Sequence, residues 1–120
     1  MKYDIHFIIN LDGDIMINTI ITKVVGVTFE GRQVPLSKIT QNDKLFLQPE
    51  PDNKYDANAI QVIMNKTTLG CITLGYITRV LSKQLSHKIK ASHPIEKFVL
   101  YGGGDKNFGL KILFYIDNET

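Results

Sequence analysis

Apolar residues in this chain fall mostly in short β-branched runs divided by turn formers, a pattern that predicts strands. Residues 3–10 are β-branched and aromatic, and after Leu11 the pair Asp12-Gly13 supplies the positive φ of a tight hairpin, with Ile15-Met16-Ile17 as its returning arm. Residues 19–29 form a long β-branched run interrupted by Gly26, where a bulge, a bend or a close backbone approach is expected. Glu30-Gly31-Arg32-Gln33 breaks the pattern, and residues 34–40, with Pro35, read as a connector. Residues 44–48 and 59–64 are further strands, and Asn65-Lys66-Thr67-Thr68 is a polar turn. Residues 69–77 are apolar with two glycines, which fits one bent strand or a short strand after a loop.

Helical spacing emerges once. Thr78 is placed to cap a helix over about residues 79–90, with Val80, Leu81, Leu85 and Ile89 near one stripe, and His93-Pro94 stops it. Residues 95–101 and 110–116 then predict two strands joined by a glycine-rich loop at 102–109. The expected fold is mostly β with one main helix, an α+β class, as a small, partly open antiparallel barrel or a strongly bent sheet plugged by the helix. All 120 residues are expected to form one domain, with residues 1–19 as a hairpin extension to a core at 20–120.

Composition narrows the function less than the pattern narrows the fold. A net charge of +2 permits a polyanionic partner without the dense basic face of a dedicated duplex binder. One cysteine, Cys71, excludes an internal disulfide, and no apolar run approaches a membrane span, so a cytoplasmic protein with no membrane partner is expected. His6, His87 and His93 lack the grouping of a zinc site, the Gly102-Gly103-Gly104-Asp105-Lys106 run lacks phosphate-loop spacing, and no serine or cysteine stands in a nucleophile motif. No cofactor and no catalysis are therefore expected.

The densest chemistry lies in residues 50–60, where Pro51, Asp52 and Asn53 build a rigid turn that presents Lys54, Tyr55 and Asp56. A plain solvated turn would carry the same polar residues. Elsewhere aromatics and cations pair near loops: Phe29 with Arg32, Tyr76 with Arg79, and Lys106 with Phe108. Such a mixture suits single-stranded nucleic acid, in which bases stack on rings and cations meet phosphates, although Phe29, Tyr76 and Phe108 would serve equally as core residues at strand ends.

Taken together, Val24-Val25-Gly26-Val27-Thr28-Phe29-Glu30-Gly31-Arg32-Gln33, Asp43-Lys44-Leu45, the segment from Glu50 through Tyr55-Asp56-Ala57-Asn58-Ala59-Ile60 to Val62, and Leu74-Gly75-Tyr76-Ile77-Thr78-Arg79 resemble a HIRAN domain from about Lys23 onward. The resemblance implies an OB-like β-barrel and binding of single-stranded DNA, with capture of its 3′ end in fork-remodelling members and a helicase or nuclease as partner in DNA repair. It further implies that Asp56 accepts the terminal hydroxyl, that Tyr55 stacks on a base, and that Phe108 lines the same pocket, so that DNA lies between the Tyr55 loop and the Phe108 loop. This chain departs from end-binding members in having Thr22, Lys23 and Val24 where they have an arginine and a tyrosine, and Tyr76 where they have a histidine. The expected DNA-binding residues are Tyr55 and Asp56, then Phe108, Tyr76 and Arg32, then Lys54, Lys23 and Phe29. The ATPase of larger family members belongs to a separate domain, so that activity does not carry over. A protein-interaction adaptor built on the same barrel is the alternative.

Overall fold

The alternation of buried and exposed side chains along the strands defines two faces that meet. In β2 (Ile15–Lys23) and β8 (Lys106–Asp117), Ile20, Thr22, Leu110, Ile112, Phe114 and Ile116 point inward. From β3 (Leu45–Pro49), β4 (Ile60–Lys66) and β5 (Gly70–Tyr76), Leu45, Leu47, Ile60, Val62, Met64 and Leu74 oppose them. Each of these side chains except Thr22 contributes roughly 1.5 to 3 kcal/mol by leaving water. The computed structural model describes residues 3–9, 15–66 and 70–117.

The inward faces belong to two antiparallel sheets. One runs β1-β2-β8-β7, with β1 at Tyr3–Ile9 and β7 at Lys97–Gly103; the other runs β5-β4-β3-β6, with β6 at His93–Pro94. They touch at two corners. Val25 and Tyr76 exchange backbone hydrogen bonds (2.7 and 2.9 Å), and at the second corner Ile95 N–H reaches Leu45 O while Glu96 N–H reaches Leu113 O. Among the described residues the strands do not close into a barrel, so the α+β class holds with two sheets as its architecture.

Four elements differ from the sequence expectation. The returning arm of the hairpin and the next run are one continuous strand, β2, which ends at Lys23 rather than Phe29 because Gly26 takes φ +72° and starts a turn. The Asp12-Gly13 turn, and Thr67 and Thr68 of the polar turn, lie outside the described residues. The connector holds a short helix, α1 (Gln33–Leu36), which brings Leu36 into the core. The glycine-rich loop is instead mostly strand: β7 and β8 pair up to Gly103 and Lys106, leaving Gly104 and Asp105 as the turn.

The second helix, α2, spans Arg79–Leu85, with the Thr78 hydroxyl accepting from Leu81 N–H as its cap. It ends sooner than expected, and the N–H groups of Lys88 and Ile89, both donating to Leu85 O, carry the chain on as a turn. Leu81, Leu85 and Ile89 join the buried core cluster, whereas Val80, one position off that stripe, is exposed.

Gln33 ties α1 to β8. Its amide donates to Val27 O (2.9 Å) and Phe108 O (3.0 Å) and accepts from Phe108 N–H (2.7 Å), standing in for a strand neighbour. Gln33→Ala leaves those half-buried groups unpartnered, so a loss of about 1 to 3 kcal/mol is expected in urea denaturation. Gln33→Glu is expected to rescue little, because a carboxylate cannot donate to the two carbonyls.

Candidate nucleic-acid interface

Two loops are built rigidly enough to hold aromatic rings out in water. In the first, Asn53 Oδ1 accepts the N–H groups of Tyr55 (2.9 Å) and Asp56 (3.0 Å), and Glu50 N–H bonds Ala59 O across the loop base. The Tyr55 side chain is left 87% exposed. In the second, Gly26, Glu30 and Gly31 all adopt positive φ, the turn closes through Arg32 N–H to Phe29 O, and Arg32 Nη1 donates back to Gly26 O (2.8 Å). Phe29 emerges 66% exposed. A large ring in water costs free energy unless something covers it, and two on neighbouring loops form a feature that packing does not explain.

Both loops line one groove of about 960 Å³. Ile72 and Tyr76 of β5 contribute its floor, and Arg79 enters from the start of α2. The Arg32 guanidinium lies 5.2 Å from the centre of the Tyr76 ring, within cation–π range. Tyr76 Oη donates to Glu50 Oε1 (2.9 Å), which also accepts from Asn53 Nδ2 (2.6 Å), so the floor and the Tyr55 loop share one acid.

This setting raises the Tyr76 pKa above its ordinary 10.0, first through burial, then through the hydrogen bond to Glu50 and that carboxylate's charge; Arg32 and Asn53 pull the other way. Tyr76 is therefore a neutral donor at physiological pH. Because the folded pKa is the higher one, the stability Tyr76 contributes is complete below pH 10 and is lost as the pH rises through the folded value. In an ultraviolet phenolate titration, Glu50→Gln should lower the pH at which the Tyr76 phenol ionises.

Arg79 completes the site. Its Nη2 donates to Tyr55 O (2.7 Å), and its Nε lies 3.5 Å from Asp56 Oδ2, while its side chain stays 71% exposed. The other oxygen, Asp56 Oδ1, accepts from Asn58 N–H (2.9 Å). Asp56 is thus partly engaged in its own loop, yet a carboxylate offers about four acceptor positions and keeps room for a further donor.

The family model of the HIRAN domain matches residues 17–117. The chain belongs to the HIRAN domain family. The HIRAN domain is known as a nucleic-acid-binding module. No curated protein and no solved structure matches the chain significantly.

Within this HIRAN domain, the residues singled out from the sequence separate into two groups. Tyr55, Asp56, Phe29, Arg32 and Tyr76 converge on the groove. Phe108, Lys54 and Lys23 do not line it. Phe108 sits half-buried on β8 against the core with its backbone held by Gln33, so the wall opposite Tyr55 comes from the Phe29 turn and not from the Phe108 segment. Lys54 is exposed on the Tyr55 loop, and Lys23 ends β2 with its ammonium 5.9 Å from the Tyr101 ring. Arg79, paired with Tyr76 in the sequence, and Asn53 and Glu50 of the Tyr55 turn join the site although none of them is among the expected DNA-binding residues. Their signal was weak: Arg79 directly follows a helix cap, and Glu50 and Asn53 look like ordinary turn residues.

Among the described residues there is no cluster of three His, Cys, Asp or Glu able to hold a metal ion, and no helix long and apolar enough to cross a membrane.

Proposed function

We propose that this HIRAN domain is a non-catalytic cytoplasmic module that holds single-stranded DNA in the groove between the Phe29 turn and the Tyr55 loop. The observation that carries the reading is the pair of exposed rings, Phe29 and Tyr55, on separate loops of one groove that also contains Arg32 and Arg79. Bases stack on such rings irrespective of sequence, and guanidinium groups meet the phosphates between them. The two sheets are then an opened OB-like barrel, and the held strand passes to a helicase or nuclease partner in repair or fork processing.

The strand enters by its 3′ end, and the free acceptor capacity of Asp56 takes the terminal hydroxyl. A 3′-phosphate would meet a carboxylate instead, which discriminates by repulsion. Arg79 beside Asp56 offsets part of that repulsion. In fluorescence anisotropy, a 3′-hydroxyl oligonucleotide should bind about tenfold more tightly than its 3′-phosphate form, the scale of one charge-assisted hydrogen bond. Asp56→Asn should erase the preference and Arg79→Gln should widen it. Equal affinities in the wild type would refute end capture alone. Absence of binding at low salt would refute the whole reading and favour a protein-interaction adaptor.

A further inference from the structure

One face of the β2-β8-β7 sheet packs into the core; the other carries a composition that a solvent-facing sheet does not require. The registers Lys23↔Lys111 and Val99↔Lys111 put Lys23, Lys111 and Val99 in one row across the three strands. Ile21, Leu113 and Lys97 form the next row, and Tyr101 pairs with Gly109 on the other side of the first. Lys23, Lys97, Lys111, Val99 and Tyr101 are exposed. The Tyr101 ring occupies the space a Cβ on Gly109 would need, so it rests against the sheet at that glycine. Among the described residues of β2, β8 and β7, the one acid that the register gives to this face is Asp117, at the end of β8, while Asp4 of the edge strand β1 pairs with Ile21.

This face also joins the groove. Val24 N–H donates to Leu110 O (2.8 Å), carrying the β2-β8 pairing past Lys23 and setting Val25 next on the open side. Val25 is exposed, lines the groove, and bridges to Tyr76 on its floor. A strand leaving the groove over Val25 would therefore meet Lys23 and Tyr101 first, and Lys111 and Lys97 beyond them. The Lys23 ammonium is at the outer limit of cation–π distance from Tyr101, a weak contact that a stacking base would readily displace.

We propose that the open face of the β2-β8-β7 sheet is a second nucleic-acid surface, on which Lys23, Lys97 and Lys111 bind phosphates and Tyr101 stacks a base of the same single strand held in the groove. The inference rests on the groove reading for its starting point. Clustered positive charge beside flat and aliphatic surface complements a polyanion with exposed bases, and a path of this kind gives a small domain a site longer than one pocket.

The test compares 3′-hydroxyl oligothymidylates of about 4 and about 12 nucleotides, bracketing a groove-sized and an extended site, by anisotropy across a salt series. In the wild type the longer strand should bind more tightly, with a salt slope steeper by about 2, as three further phosphate contacts on a single strand imply. The triple variant Lys23→Gln, Lys97→Gln, Lys111→Gln should bind the short strand as the wild type does and lose that extra slope, and the corresponding triple arginine variant should restore it. A triple glutamine variant that keeps the full slope difference would overturn the second surface while leaving the groove standing, and is the result expected if a partner protein covers this face. Should Tyr55→Ala bind the short strand normally while the lysine result holds, the groove reading fails and the sheet surface survives. If neither strand binds at low salt, both readings fall.

Discussion

The double variant Phe29→Ala, Tyr55→Ala is expected to bind single-stranded oligonucleotides at least on the order of 30-fold more weakly than the wild type, with no measurable change in its denaturation midpoint. Each ring, if it stacks, contributes about 1 to 3 kcal/mol. The two stand on separate loops, so their losses should come close to adding. Stability should be spared because neither ring belongs to the core: Tyr55 and Phe29 lie outside the buried cluster, and their loops are closed by backbone and Asn53 contacts that truncation leaves intact. Anisotropy and urea denaturation on one preparation check both halves. Unchanged affinity would remove the case for the groove, and a large fall in stability would mean that the rings serve packing. Tyr76→Phe separates floor from walls, since it keeps the ring under Arg32 and removes the hydrogen bond to Glu50.

The parts of the site that local chemistry specifies were legible beforehand. Asn53 builds the Tyr55 loop through bonds two and three residues away, and Thr78 caps α2 within one turn, so both could be read from neighbouring residues. Phe108 was misplaced because the glycines around it suggest a loop, whereas Gly103 gives up its side-chain space to the Phe108 ring and Gly109 gives up its own to Tyr101. Composition alone does not distinguish a glycine that frees the backbone from one that makes room for a ring across a hairpin. The short helix α1 escaped for a related reason. Gln33–Leu36 carries no periodic stripe, and its place is fixed by Gln33 reaching a strand that lies 75 residues away in sequence. The groove itself follows from the corner where Val25 meets Tyr76, a pairing that no local pattern announces.

That corner depends on Gly75, and Gly75→Val is expected to destabilise the protein by about 3 kcal/mol or more, in the upper range for overpacking a core. A Cβ at this position would lie 2.6 Å from Val25 O and 2.6 Å from Val24 Cγ1. The side chain of Val24 could rotate away, but Val25 O already accepts from Tyr76 N–H (2.9 Å) and cannot move without opening the bridge between the sheets. Relief of the clash therefore separates Val25 from Tyr76, and the groove floor shifts relative to the Phe29 turn. The variant should unfold at markedly lower urea with an unchanged m-value, and under conditions where it is still folded it should bind oligonucleotides more weakly although no contact residue has been altered. Gly31→Ala serves as the comparison: its Cβ would enter open space, so it incurs the strain of a positive φ alone, on the order of 1 kcal/mol. Equal losses for the two variants would mean that backbone conformation, and not the close approach of two chains at Gly75, sets the requirement for glycine there.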